Sequence, residues 1–295
     1  MLSILIPVYH YNALSLVNEL VKQCNFNGIN FEILCQDDAS NSSENITNQK
    51  INSISNCSFF INKINLGRGK NINSLAQKAK YDWLLILDCD TFPAKNDFIK
   101  NYIDIISNST KNIFFGGIIY ESKKPEKEQL LRWIYGQKRE TISILTSNLL
   151  IKKEVFVEYP FDESITKYGC EDLLFFTVLK SNYFEIYRVE NPTYHLNLET
   201  SMILLNKTKT ALENLLFLYN SKKISPQESK IINAFDFLKK LKLIRFSAFL
   251  FRKNQTKIER NLLSQNPSMF LFDLYKLSYF CDLNIQAPAE HNIYS

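Results

Sequence analysis

Trp83-Leu-Leu-Ile-Leu-Asp-Cys-Asp90 is an apolar run that stops at two carboxylates one residue apart. Five consecutive large apolar side chains without polar alternation describe a strand buried on both faces. Such a strand needs helices on either side, which predicts an α/β architecture. Outward from it, residues 2–9, 31–36, 58–62, 113–120, 144–151 and 184–190 read as further strands. Between them, Leu14, Val17, Val21 and Cys24 share one helical face, as do Ile72, Leu75, Ala76 and Ala79. The alternation implies a largely parallel sheet. In open α/β sheets ligands bind beyond the carboxyl ends of the strands. Those ends carry Pro7-Val8-Tyr9, Asp37-Asp38-Ala39-Ser40 and Asp88-Cys89-Asp90, so four carboxylates are expected along one edge.

The 295 residues are 45% hydrophobic and 22% charged, an ordinary globular balance that excludes disordered and disulfide-stapled classes. Cysteines 24, 35, 57, 89, 170 and 281 are scattered without a Cys-x-x-Cys pair, so they are expected to be free thiols. No apolar run is long enough to span a bilayer, and the N-terminus reads as the first strand. The expected location is therefore cytoplasmic, either free or peripheral at the inner face of the cell membrane. The net charge of +5 is unevenly spread: residues 1–200 hold 21 basic against 23 acidic groups, and residues 201–295 hold 14 against 7. Long helical patterns without glycine follow residue 199, which predicts a domain over 1–200 and a helical appendage over 201–295.

Two carboxylates in the turn after a buried strand suit a divalent cation that shares its coordination with phosphate oxygens. The chain resembles the family 2 glycosyltransferases of GT-A fold, and is similar to bacterial members acting on surface polysaccharides. The resemblance covers roughly residues 2–200. It rests on Ser3-Ile-Leu-Ile-Pro-Val-Tyr9, Gln36-Asp-Asp-Ala-Ser40, Asn65-Leu-Gly-Arg-Gly-Lys-Asn71, Leu87-Asp-Cys-Asp90 and Tyr168-Gly-Cys-Glu-Asp172, in that order. It implies that Pro7, Tyr9 and Asp38 hold the nucleobase of a nucleotide-sugar donor, that Arg68 or Lys70 meets ribose or diphosphate, and that Asp88 lies near ribose and sugar. It further implies Asp90 as metal ligand, joined by His195, with Mn²⁺ or Mg²⁺ as cofactor. Asp172 becomes the general base and Glu171 its reserve, while Cys170 departs from the histidine of many relatives. The implied reaction is inverting, metal-dependent transfer of a hexosyl or N-acetylhexosaminyl group, from UDP-sugar by expectation, to a saccharide or lipid-linked saccharide.

Thr146, Ser147 and Asn148 in the later strand, and Trp133 in a charged connector, are expected to border the acceptor. Gly116-Gly117 inside a strand marks a close backbone approach. In residues 235–260, Phe237, Leu241, Ile244, Ala248 and Phe251 form one helical stripe, while Phe246, Phe249 and Leu250 fall elsewhere on the wheel. Eight cations between 239 and 260 face only Glu259. This stretch is expected either to dock on protein or to lie on an anionic membrane surface. No nucleic-acid motif occurs, so nucleic acid is not an expected partner. Two other classes compete: a sugar nucleotidyltransferase, which wants a glycine-rich basic loop where His10-Tyr-Asn-Ala13 stands, and a catalytically inactive membrane-associated scaffold.

Overall fold

The buried strands take the places that their composition demands. In the computed structural model, which describes residues 1–286, the strands are β1 (Leu2–Val8), β2 (Phe31–Asp37), β3 (Cys57–Ile61), β4 (Trp83–Leu87), β5 (Thr91–Pro93), β6 (Ile113–Phe115), β7 (Ile118–Ile119), β8 (Asn148–Lys152), β9 (Tyr187–Arg188) and β10 (Thr193–His195). The helices are α1 (Leu14–Phe26), α2 (Glu44–Asn48), α3 (Arg68–Lys78), α4 (Phe98–Asn108), α5 (Leu130–Lys138), α6 (Lys153–Glu158), α7 (Glu171–Ser181), α8 (Ser201–Asn220), α9 (Lys230–Lys240), α10 (Ile244–Leu262) and α11 (Met269–Gln286). The last nine residues of the 201–295 region lie outside the described residues.

Seven strands form the main sheet in the order β3-β2-β1-β4-β8-β6-β9. β8 runs antiparallel to both β4 and β6, and the other pairings within this sheet are parallel. Every residue of β1, β2 and β4 is buried, as expected for strands covered on both faces. Helix α1 buries Leu16, Val17, Leu20 and Cys24 and leaves Leu14 and Val21 partly covered, so its inward face is turned from the expected one. The chain order reverses between β1 and β4, and a crevice opens at such a switch point.

Three expected strands come out differently. Residues 113–120 break into β6 and β7 at Gly116-Gly117, where φ of Gly117 is +74°. Residues 144–151 pair only from Asn148 onward, and 184–190 contribute only Tyr187–Arg188. The break at 116–117 frees β7 to join a second sheet, β5-β10-β7.

Contacts divide the chain into two units. One comprises residues 1–122, 136–166 and 178–197; the other comprises 123–135, 167–177 and the described residues from 198 onward. The second unit has its own core of Leu131, Leu204, Leu205, Phe251, Ile258, Leu262, Phe272 and Tyr275. There the expected stripe over 235–260 is split. Helix α9 ends in a turn with Lys242 at φ +60°, so Phe237 and Leu241 face outward while Ala248 and Phe251 are buried. The six cysteines are free.

Candidate functional site

The parallel register sets the site. Leu5 lies opposite Ile86, and carrying that register forward brings Pro7, next to last in β1, level with Asp88 just beyond β4. Arg68, in the first turn of α3, reaches this edge. Its Nη2 and Nε donate to Asp88 Oδ1 at 2.6 and 3.1 Å, and its Nη1 donates to Thr146 Oγ1 at 2.9 Å. The Asp88 backbone N–H is held by the Ser147 carbonyl at 3.2 Å. Ser147 is buried, and its hydroxyl has no partner among the described residues. Tyr9 is 53% exposed at the end of β1, its ring edge-on to His10. Beside them a hollow of about 540 Å³ is lined by His10, Tyr11, Asn12 and Glu44 among others. Burial, then the nearby Asp90 and Cys89, raise the Tyr11 pKa above its ordinary value.

Asp37 and Asp38 do different work. Asp37 closes the turn by accepting from the Ser40 backbone N–H at 2.9 Å and from its hydroxyl at 2.5 Å. Asp38 accepts from the backbone N–H groups of Leu66 and Gly67, each at 2.8 Å, and from Asn62 Nδ2 at 2.9 Å. A carboxylate accepting several N–H bonds makes a stiff, charge-assisted clamp. Here it fixes the turn that launches α3 and aims Arg68. Lys70, two residues on in the same first turn, pairs with Glu163 at 3.1 Å.

The second sheet brings Asp90 and His195 together. Antiparallel pairing puts His195 opposite Thr91, and the Leu196 N–H donates to the Asp90 carbonyl at 2.8 Å. His195 Nε2 then stands 3.6 Å from Asp90 Oδ2. The Tyr120 ring stacks on the imidazole at 5.4 Å, and His195 Nδ1 is buried without a partner among the described residues. An imidazole whose Nε2 faces a carboxylate and whose Nδ1 has no protein partner among the described residues belongs to a donor set suited to a divalent transition metal. Among the described residues no cluster of three or more His, Cys, Asp or Glu could hold a metal by itself. The pair therefore fits an ion whose remaining ligands come from elsewhere. Burial, then Asp90, drives the Cys89 thiol well above its ordinary pKa.

Asn148 sits at the centre of a buried network. It is 0% exposed; its Oδ1 accepts from the Tyr102 hydroxyl at 2.6 Å, and its Nδ2 donates to the carbonyls of Gly117 and Asn191 at 3.0 and 2.9 Å. Its amide is thus spent on holding the β6–β7 break and the segment that leads to His195.

In the second unit, Tyr168-Gly-Cys-Glu-Asp172 opens α7. Asn214 Nδ2 of α8 donates to the carbonyls of Lys167, Tyr168 and Gly169, and Cys170 Sγ reaches the Ala211 carbonyl at 3.3 Å. Cys170 adopts φ +71°, a conformation that costs a non-glycine residue about 1–2 kcal/mol and persists only when its surroundings enforce it. Burial, then Glu171 and Asp172, raises its thiol pKa to about 12. The Glu171 side chain accepts from the Gly169 N–H at 2.9 Å, and Asp172 follows in the first turn of α7, where the helix dipole favours a carboxylate. Trp133 lies half-buried in α5, within the same unit.

The sequence family described as Glycosyl transferase family 2 matches residues 3–162, more than half of the chain. The chain belongs to glycosyl transferase family 2. Among solved structures, TarS of S. aureus is 18% identical with a TM-score of 0.50; the match covers 73% of this chain and 39% of TarS. A mannosyltransferase from Pyrobaculum calidifontis, in complex with GDP-Man and Mn²⁺, is 10% identical with a TM-score of 0.57, covering 96% of this chain and 86% of that one. Comparison with curated protein sequences gave no significant match. The mostly parallel sheet flanked by helices, with helices after it, is the GT-A-like architecture of these family 2 neighbours.

Three contributors are not apparent from the sequence alone: Tyr120, Asn62 and Asn214. Thr146, expected with Ser147 and Asn148 to border the acceptor, instead accepts from Arg68. Asn62 is a short polar residue just past β3, a signal that was present. Asn214 is one polar residue inside a helical run, and nothing local marks it as the clamp on a turn more than forty residues upstream.

Proposed function

We propose that the chain is an inverting glycosyltransferase that moves a hexosyl or N-acetylhexosaminyl group from a nucleotide sugar, a UDP-sugar in our reading, to a saccharide or lipid-linked saccharide during bacterial surface-polysaccharide synthesis. The observation that carries the proposal is the pair of dyads in the segment that follows β4, Arg68 with Asp88 and Asp90 with His195. A diphosphate needs cations on its oxygens, and the first dyad supplies a guanidinium held in advance by Asp88 and Thr146.

In this reading Pro7, Tyr9 and Asp38 frame the base, Asp38 chiefly through the loop it holds. Arg68 meets the diphosphate, Lys70 supports that turn, and Asp88 faces ribose and sugar. Asp90 and His195 would hold Mn²⁺ or Mg²⁺, which when bound supplies Lewis-acid stabilisation of the departing diphosphate. Ser147 and Trp133 border the acceptor, and Asn148 keeps that region in place. Asp172 takes the acceptor hydroxyl proton as its oxygen attacks the anomeric carbon. The bond from that carbon to phosphate breaks on the opposite side, and the nucleoside diphosphate leaves with the electron pair. Glu171, engaged with the Gly169 N–H, orients the turn and serves as the reserve base. Residues 1–200 then form the catalytic domain and 201–295 an appendage that faces an anionic membrane at the cytoplasmic side.

The test is release of nucleoside diphosphate from a panel of nucleotide sugars, with Mn²⁺ and with chelator. Asp90→Asn should abolish turnover. Asp172→Asn should preserve donor binding and slow turnover by roughly 10²–10⁴-fold. Absence of both nucleotide binding and hydrolysis in Mn²⁺ would sink the proposal; normal turnover by the Asp172 variant would remove only the base.

A further inference from the structure

Helix α9 ends in a tight hydrogen-bonded turn. The Leu243 N–H donates to the Leu238 carbonyl at 2.9 Å and the Lys242 N–H to the Lys239 carbonyl at 3.0 Å, with Lys242 in the left-handed conformation that glycine usually fills. The chain turns there directly into α10. The inward faces of both helices are satisfied: Ile232 and Phe235 of α9, and Ala248, Phe251, Ile258 and Leu262 of α10, are buried. What the corner turns outward is also apolar. Phe237, Phe246 and Phe249 are 61%, 58% and 59% exposed, and Leu241, Leu243 and Leu250 are exposed with them.

Cations surround these side chains. Lys239, Lys240, Lys242, Arg245 and Lys253 are exposed and make no ion pair among the described residues. Acids close to the corner are already occupied: Asp282 pairs with Arg252 at 2.6 Å. Glu259 binds Lys209, Gln255 and Tyr275, and Asp236 accepts from the Tyr219 hydroxyl. On the α10 wheel Phe246, Phe249 and Leu250 share the outer arc with Lys253, Lys257 and Arg260, opposite the buried face. Phenylalanine and leucine within a turn of lysine and arginine match the layering of an anionic bilayer, where rings enter the acyl boundary and ammonium groups stay at phosphate level.

We infer that the α9–α10 corner, residues 237–253, is a wedge that inserts into an anionic lipid surface, with Phe246 and Phe249 as its anchors. This inference rests on the reading of the chain as a transferase working at a membrane and narrows it to one corner. A continuous amphipathic helix over 235–260 is not what the fold builds.

The experiment is flotation of the full chain with vesicles of phosphatidylcholine alone and of phosphatidylcholine mixed with phosphatidylglycerol. Binding should require phosphatidylglycerol and weaken as salt rises. Each cation near such a surface contributes about fivefold in partitioning, so Lys239→Gln, Lys240→Gln, Lys242→Gln and Arg245→Gln together should lower it by roughly two to three orders of magnitude. Phe246→Ser with Phe249→Ser should abolish flotation. Both sets replace exposed side chains, and unchanged circular dichroism and urea midpoints confirm that they fold. Equal binding to neutral vesicles, or parent-like flotation of either variant, overturns the inference. So does light scattering that shows a dimer dissociated by the phenylalanine variant while flotation persists, because a second copy would then own the surface. Donor hydrolysis in solution should be unchanged by either variant. If hydrolysis is absent even in the parent and flotation behaves as expected, the transferase reading fails and the lipid surface stands.

Discussion

Replacing Gly116 by alanine is the sharpest test of how the second sheet is held. A Cβ there would lie 2.2 Å from the Asn191 carbonyl oxygen, 2.4 Å from Asn148 Nδ2 and 2.5 Å from the Tyr102 hydroxyl. None is the loose end of a flexible chain, because these atoms belong to one buried network. Clearing the methyl strains the packing by about 1–3 kcal/mol. It also breaks at least one buried hydrogen bond, which costs about 1–3 kcal/mol for each group left unsatisfied. The expected loss is therefore about 4 kcal/mol, a large share of the roughly 5–15 kcal/mol that stabilises a typical domain. Gly117→Ala is the control. Its nearest neighbour would be Arg188 Nη2 at 3.9 Å, so only the positive φ is at stake, at about 1–2 kcal/mol. Urea unfolding followed by fluorescence reads this in a Trp133→Phe background, where the sole remaining tryptophan, Trp83, packs beside Phe114 in the same unit. With a urea slope of about 3 kcal/mol per molar, the midpoint should fall by more than about 1 M for Gly116→Ala and by much less for Gly117→Ala. A loss below about 1 kcal/mol, or the reverse ranking, would refute the reasoning.

Tyr102→Phe removes the donor to Asn148 Oδ1 without changing shape, and should cost about 1–3 kcal/mol in the same titration. Arg68→Gln should raise the donor KM by roughly 10–100-fold, the loss of one charge-assisted contact, while far-UV circular dichroism stays unchanged. His195→Ala should raise the Mn²⁺ concentration for half-maximal hydrolysis by on the order of tenfold or more, read from metal titrations at saturating donor. Burial raises the thiols of Cys24 and Cys57 from the ordinary 9.0 to about 12 and about 11. The folded chain therefore keeps protons that the unfolded chain releases. That stabilisation is complete below pH 9.0 and is lost as pH climbs toward 12, so the urea midpoint should drop across this window and drop less in a Cys24→Ala, Cys57→Ala chain.

Legibility in the sequence followed the strength of the local pattern. β1, β2 and β4 were readable to within a residue or so because uninterrupted apolar runs have few other interpretations. Residues 113–120 were not, since Gly116-Gly117 signalled close approach without saying that the strand would change sheets. The split at Lys242 was invisible because no glycine or proline marks it. Among the site residues, the carboxylates that follow β4 meet partners from other elements, Asp88 with Arg68 of α3 and Asp90 with His195 of β10. The side chain of Asn148, by contrast, points into a network whose other members, Tyr102 and Asn191, lie more than forty residues away in either direction. Local pattern carries no trace of such pairings.

The small sheet β5-β10-β7 has a consequence for the order in which the chain becomes competent. Asp90 leaves β4 early, yet its imidazole neighbour arrives with β10, about a hundred residues later. Closing so long a loop costs only a few kcal/mol of chain entropy, growing as the logarithm of its length, so distance along the chain is no thermodynamic obstacle. It is a temporal one. A nascent chain halted before Thr193 would carry all four strand-end carboxylates and no imidazole at Asp90. If this pair holds the cation, as proposed, capture would be deferred until nearly all of the residues that precede α8 have been made.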